Sequence, residues 1–345
     1  MTTAPLGQLL DSRPPAFPTD RIAALLERHW ALSGHLVPLT SERDQNHRLD
    51  SGAGRFTVKI ANAAEPHDLT RFQNRALRHA AAADPTLPIP RVLATTSGVD
   101  DVVLPDGHLM RVLTWLDGAP LAGLPQGAGQ GVSLARLGAR LARALRGLDD
   151  PAADHVLQWD IRHASLLRPL LPHVADPDLR ALATAALDRF DTVTAPALPA
   201  LRWQVIHGDL NPHNLLADPA QPDRVTGILD FGDMVRTPLV CDLAVAASYR
   251  IDPDRPLHSL SAFAAAWHAV DPLTPAERAV LFDLVAARMV TTVAITAFRA
   301  ARYPENAPYI LRNQPSARAG LAAFARLDRA EIDAALATAC PEGKP

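Results

Sequence analysis

Ile206-His207-Gly208-Asp209-Leu210-Asn211-Pro212-His213-Asn214, followed by Ile228-Leu229-Asp230-Phe231-Gly232, is the stretch on which the reading of this chain turns. Its spacing is His-x-Asp-x-x-x-x-Asn and then Asp-Phe-Gly, the order that phosphoryl transfer uses: one carboxylate for a hydroxyl, and an amide–carboxylate pair for magnesium. Residues 214–217 and 224–229 are apolar runs separated by the turn formers of 218–223, so an antiparallel hairpin is expected. Centred near Pro222, it would set Asn214 opposite Asp230. Mg2+ takes few protein oxygens and keeps phosphate and water as its other ligands, so this pair suffices. Asp209, on the loop before the hairpin, is the expected catalytic base for the acceptor hydroxyl. His207 is read as a brace for that loop and Phe231 as packing. An acidic hairpin that merely caps turns explains any one of these residues, but not five fixed positions in order.

Upstream, the pattern reads as a helix over 19–32, strands over 35–40, 45–50 and 55–61, a helix over 66–83, a strand over 91–95 and a hairpin over 102–104 and 108–116. Lys59 is the only lysine in this half and is the expected cation for the α/β-phosphates. With the turn centred on Gly52, it would face Gln45, beside the loop Ser41-Glu42-Arg43-Asp44. That loop would cover the phosphates, with Ser41 and neighbouring amides as donors in place of glycine backbone. A helix carboxylate to hold Lys59 is not evident. Gln73 stands at the inward position, and Glu65 or phosphate alone are the other options. Thr114-Trp115-Leu116 would join two lobes and offer main-chain groups to a purine edge, although Trp115 fits core packing equally well.

Everything after Asp117 is alanine- and leucine-rich and helical in period, over 132–148, 164–171, 177–190, 259–270, 275–301 and 317–337. The hairpin supplies the only clear strands there. The expected fold is therefore α+β and bilobal, with a β-rich nucleotide lobe over 1–116 and a larger helical lobe over 117–345 for catalysis and acceptor binding.

Composition narrows the function further. The chain has 345 residues, 48% of them apolar, and a net charge of −3 with both signs interspersed. No basic stripe points to nucleic acid. Cys241 and Cys340 form no disulfide framework or metal cluster, as suits a reducing cytoplasm. Residues 1–20 lack a signal-peptide pattern. The apolar segment 279–301 carries Asp283 and Arg288, which favours a buried helix over a membrane span.

On these motifs the chain resembles the aminoglycoside phosphotransferase and choline kinase superfamily, small-molecule kinases of protein-kinase-like fold whose loop reads His-Gly-Asp, as at 207–209. Ser41-Glu42-Arg43-Asp44-Gln45-Asn46, Leu87-Pro88-Ile89-Pro90-Arg91-Val92 and Gly232-Asp233-Met234 are similar to the hydroxylysine kinase branch. The resemblance implies ATP or GTP with Mg2+, Asp209 as base, Asn214 and Asp230 as metal ligands, and a structural Asp242. It points to phosphorylation of a small amine or amino acid, with 5-hydroxylysine leading and homoserine, ethanolamine, choline or an aminoglycoside behind. A non-catalytic nucleotide-binding protein is the alternative of another class. For an amino acid acceptor, Asp233 and Asp160 are candidate partners of ammonium, and Arg162, Arg299 or Arg302 of carboxylate. An aminoglycoside would demand a broad acidic rim, which the residues around Asp150, Asp154 and Asp160 do not provide.

Overall fold

In the computed structural model, which describes residues 14–41, 43–127 and 129–342, a helix lies against an antiparallel sheet at the N-terminal end. Helix α1 (Thr19–Trp30) buries Ile22, Leu26 and Trp30, positions four apart that share one face. Strands β1 (Gly34–Leu39), β2 (Gln45–Ser51) and β3 (Gly54–Ile60) follow, then α2 (His67–Ala83), β4 (Val92–Leu93), β5 (Val102–Val103) and β6 (Leu109–Thr114). The sheet order is β1-β2-β3-β6-β4, with β5 also on β6. Leu49, Val58, Ile60, Met110 and Val112 meet α1 in a compact apolar cluster. The signal-peptide expectation for residues 1–20 falls largely outside the described residues, as does Glu42.

After β7 (Ala119–Pro120) the chain is mostly helical: α3 (Gln130–Ala144), 3-10 turns over Ile161–His173, and α4 (Pro177–Arg189), which runs through a π-turn (Phe190–Thr194) into α5 (Ala195–Ala197). Strands β8 (Trp203–Ile206), β9 (Leu215–Asp218), β10 (Gln221–Ile228) and β11 (Val235–Pro238) interrupt it. Helices α6 (Val240–Ser248), α7 (Pro256–His268), α8 (Pro275–Arg302), α9 (Ala307–Ile310), α10 (Gln314–Phe324) and α11 (Arg329–Ala339) complete it. This is the α+β arrangement expected, with a small antiparallel sheet region and a large helical one. The larger core also takes in Phe72, Ala76 and Leu77 of α2, which ties the two regions together.

Helix α8 has the length and hydropathy to cross a membrane, but 94% of its most apolar window is buried inside the protein. Thr274 and Glu277 cap its start reciprocally. Three expectations needed correction. The helix expected over 317–337 is two, because Asp328 accepts from the amides of Ala330 and Glu331 and starts α11. Strands β8 and β11, which pair with each other, are too short for a two-residue period to register. Helix α6, buried on every side, likewise shows no amphipathic period.

Candidate active site

Strand β8 delivers the chain into the loop His207–Asn214, and its antiparallel partner β11 carries the segment after Asp230 back alongside, with Val235 opposite Ile206. The loop is held from beneath. The His207 ring is fully buried, its Nε2 3.0 Å from the Leu229 carbonyl and its Nδ1 accepting the Asp209 amide at 3.2 Å. Both ring nitrogens are thereby engaged. Gly208 turns at φ 77° and donates its amide to Asp242 Oδ1 at 2.9 Å. Burial pushes the Asp242 carboxyl up, against the pull of His207 and the two backbone amides it accepts.

Asp209 is the hub. Its Oδ2 accepts from Asn211 Nδ2 at 2.8 Å and Asn214 Nδ2 at 2.7 Å, and its Oδ1 from Arg288 Nη2 at 2.9 Å. With Nδ2 of Asn214 turned to Asp209, its Oδ1 has no hydrogen-bond donor among the described residues. The hairpin register differs by one residue from expectation. Irregularities within β10 bring Leu229 opposite Asn214, with the Leu229 amide on the Asn214 carbonyl at 2.7 Å, and Asp230 follows directly. Asp230 adopts φ 56°, ψ 83°, a left-handed conformation costing about 1–2 kcal/mol outside glycine. Its carboxylate accepts the Gly232 amide at 3.2 Å. Burial would raise its pKa, but Lys59, Arg43 and the Gly232 amide hold it below the usual carboxylate range. Among the described residues no group of three or more His, Cys, Asp or Glu gathers as a metal centre. An amide oxygen and a carboxylate are nonetheless the hard donors that Mg2+ accepts beside phosphate.

These groups open into a cleft of about 490 Å³. Its N-terminal wall includes Ser41, Arg43, Asp44, Asn46, Lys59, Glu65 and Gln73, and Asp209, Asn214, Asp230 and Asp233 face them. The two-residue turn Gly52-Ala53 sets Lys59 opposite Asn46, and Gln45 opposite Ile60, in place of the expected pairing. The partner of Lys59 is Asp44, at 3.6 Å. Gln73 is taken elsewhere: its carbonyl oxygen accepts from the buried Arg111, which also donates to Asn74 at 2.8 Å. Glu65 accepts from Thr70 at 2.7 Å and Gln73 at 3.3 Å. Ser41 accepts the Asp44 amide on its Oγ at 3.2 Å.

Three sequence readings move. The amides of Thr114 and Trp115 are used inside the sheet, by the carbonyls of Arg91 at 2.9 Å and Arg55 at 3.1 Å. Neither they nor Leu116 line the cleft. Asp160 and Arg162 pair with each other at 2.9 Å and lie off the cleft, where Asp160 caps the Arg162 amide and accepts from Thr237. Arg162 is further bound to the Arg236 carbonyl, with Trp203 under its guanidinium. Asp160 and Arg162 thus spend their charges on each other outside the cleft.

Sequence reading missed Arg43 and Arg288. Arg43 crosses the cleft to Asp233 Oδ1 at 3.3 Å. Burial opposes its charge, yet Asp233, Asp230, Glu65 and Asp44 raise its pKa above the ordinary value. The Asp233 carboxyl is itself pushed up by burial, which Arg43 only partly offsets. The one available signal for Arg288 was a charge in the middle of an apolar helix. Beyond Asp209, α8 turns Arg288, Thr292, Thr296 and Arg299 into the cleft, positions three or four apart on one helix face. Trp159, Tyr249, Tyr309 and Arg312 complete that end.

The model of a phosphotransferase enzyme family matches residues 35–282. Hydroxylysine kinase of Mus musculus is 28% identical over 327 residues, 87% of each chain. The Danio rerio protein of that name is 27% identical over 331 residues, 91% of this chain and 92% of its own. Among solved structures, a microcompartment-associated aminopropanol kinase superposes with a TM-score of 0.66 at 18% identity, covering 88% of this chain and 99% of its own. An amicoumacin kinase in complex with AMP-PNP and Ca2+ gives 0.66 at 11% identity, covering 92% and 97%. At such identities the structural likeness establishes the fold.

Proposed function

This chain belongs to the phosphotransferase enzyme family and is a small-molecule phosphotransferase with a hydroxyl group as acceptor, and we propose that it transfers the γ-phosphoryl group of ATP or GTP to the hydroxyl of 5-hydroxylysine. The observation that carries the acceptor is the mixed charge of the cleft, with arginines at its far end and carboxylates between them and the nucleotide side. Arg299 and Arg312 stand at the far end with Thr296, while Asp209 and Asp233 lie nearer the nucleotide side. 5-Hydroxylysine, with one carboxylate and two ammonium groups, would set its carboxylate on arginine and the ammonium beside its hydroxyl on Asp233. A polycationic aminoglycoside would meet the arginines with like charge. The similarity to hydroxylysine kinases over most of both chains supports the same choice.

In this reading Asp209 accepts the hydrogen bond of the acceptor hydroxyl and takes its proton as transfer completes. Asn214 Oδ1 and the Asp230 carboxylate hold Mg2+, and Lys59, with Ser41 nearby, meets the phosphates. Bound Mg2+ neutralises developing charge on the phosphoryl oxygens. Two free, buried cysteines suit a cytoplasmic enzyme.

Turnover against 5-hydroxylysine, homoserine, ethanolamine, choline and kanamycin, with ATP and GTP in parallel, tests the assignment. Activity with kanamycin and none with 5-hydroxylysine would sink it. Arg299→Met and Arg312→Met should raise KM for 5-hydroxylysine while leaving any turnover of ethanolamine, which has no carboxylate, unchanged. Asp209→Asn should abolish transfer and spare nucleotide binding.

A further inference from the structure

The two oxygens of Asp209 are not equivalent. A carboxylate oxygen offers about two lone-pair directions. Oδ2 uses both, on Asn211 at 2.8 Å and Asn214 at 2.7 Å. Oδ1 uses one, on Arg288 at 2.9 Å, and keeps one. We propose that Arg288 is a positioning residue for phosphoryl transfer, pinning the Asp209 carboxylate so that Oδ1 presents its remaining lone pair to the acceptor hydroxyl. This rests on the reading of Asp209 as the base. As the acceptor oxygen bonds to phosphorus and the bond to the leaving nucleoside diphosphate breaks, the hydroxyl proton passes to Oδ1. Arg288 and the two asparagines keep their protons throughout.

Arg288 is built for a fixed geometry. It lies mid-way along α8 with its side chain 2% exposed. One Nη2 hydrogen bond goes to Asp209, another to Tyr249 Oη at 3.0 Å, and Nη1 reaches the Trp159 carbonyl at 3.3 Å. Its guanidinium carbon sits 5.2 Å from the Trp159 ring centroid and 5.7 Å from that of Tyr249. A buried guanidinium is costly without partners, and these come from three separate parts of the chain. A planar fork held on several sides fixes orientation better than a flexible ammonium would. The Asp209–Arg288 pair is also close to neutral as a unit. Its role should therefore appear in the chemical step and not in acceptor affinity.

The test uses the full chain. Arg288→Met should lower kcat by about a hundredfold, the cost of a loosely oriented reacting group, with KM for acceptor and nucleotide and the affinity for magnesium–ADP little changed. Arg288→Lys should recover part of the loss. Methylguanidinium should partly restore Arg288→Ala, and methylammonium should not. Tyr249→Phe removes one anchor of Arg288 without emptying the site and should lower kcat several-fold. The proposal is overturned if Arg288→Met keeps kcat within threefold, if its loss lies in KM alone, or if methylguanidinium restores nothing. Should the Arg288 variants not fold, an unchanged kcat in Tyr249→Phe overturns it. Asp209→Asn separates the two levels: if it stays active, the assignment of the base fails, whereas an inactive Asp209→Asn beside an active Arg288→Met defeats this inference alone.

Discussion

Replacing Gly208 by alanine measures how firmly the backbone beneath Asp209 is held. At φ 77° a side chain costs about 1–2 kcal/mol, because Cβ crowds the following carbonyl. The added Cβ would also lie 2.7 Å from the Asp233 carbonyl oxygen, well inside an ordinary carbon–oxygen contact of about 3.3 Å. That oxygen belongs to backbone and has no rotamer in which to escape. Just beyond it, Val235 is locked to Ile206 in the β8–β11 ladder. On the other side, the Gly208 amide is tied to Asp242 at 2.9 Å. Relief by moving the loop would break one of these, an overpacking cost of about 1–3 kcal/mol. The two together give a destabilisation of about 2–5 kcal/mol. A shift of Asp209 by a fraction of an ångström should lower kcat by about ten- to a hundredfold. Urea unfolding followed by tryptophan fluorescence, with steady-state kinetics on the same preparation, reads both. An alanine variant within 0.5 kcal/mol of the parent in stability (about the spread of an ordinary surface substitution) and unchanged in kcat would refute the reasoning.

Gln73→Ala should leave Arg111 with Asn74 alone and cost about 1–3 kcal/mol with nucleotide KM unchanged; a large KM rise at unchanged stability would mean that Gln73 serves Lys59 after all. Gly138→Ala drives a Cβ to 2.7 Å from the Trp267 ring and 3.2 Å from Leu210, and should lower the urea midpoint by the equivalent of about 1–3 kcal/mol. Burial pushes the Cys340 thiol up to about 11, Arg278 opposing, and that of Cys241 well above its ordinary value. Neither cysteine should react with iodoacetamide at neutral pH until urea is added, and rapid labelling of the folded chain would contradict the packing. Because the folded Cys340 thiol titrates above the unfolded one, unfolding releases a proton in between. Its contribution to stability should therefore fall as pH rises from about 8.5 towards 11.

The phosphoryl-transfer motif was legible because its parts are local. His207 to Asn214 and Ile228 to Gly232 sit within one loop and one hairpin, so spacing alone brings them near each other. The α+β division was legible for a similar reason, since a two-residue period gives way to a helical one near Asp117. What failed was register and long-range pairing. A two-residue turn at Gly52-Ala53 and irregularities in β10 moved Lys59 and Asn214 by one position each, because a turn's length decides which residues face each other. The partners of Lys59, Gln73 and Asp160 could not be read off, since polar side chains satisfy one another wherever packing brings them together. Arg288 is the clearest case. It lies far along the chain from Asp209, on a helix buried on every side from Val280 to Thr296, and its row of Arg288, Thr292, Thr296 and Arg299 does not say which distant loop it meets. By itself the sequence determined the reaction class and pointed to the residues proposed to carry it. Only the packing of α8 against the loop decided what holds Asp209, because that contact depends on how helices sit together in space.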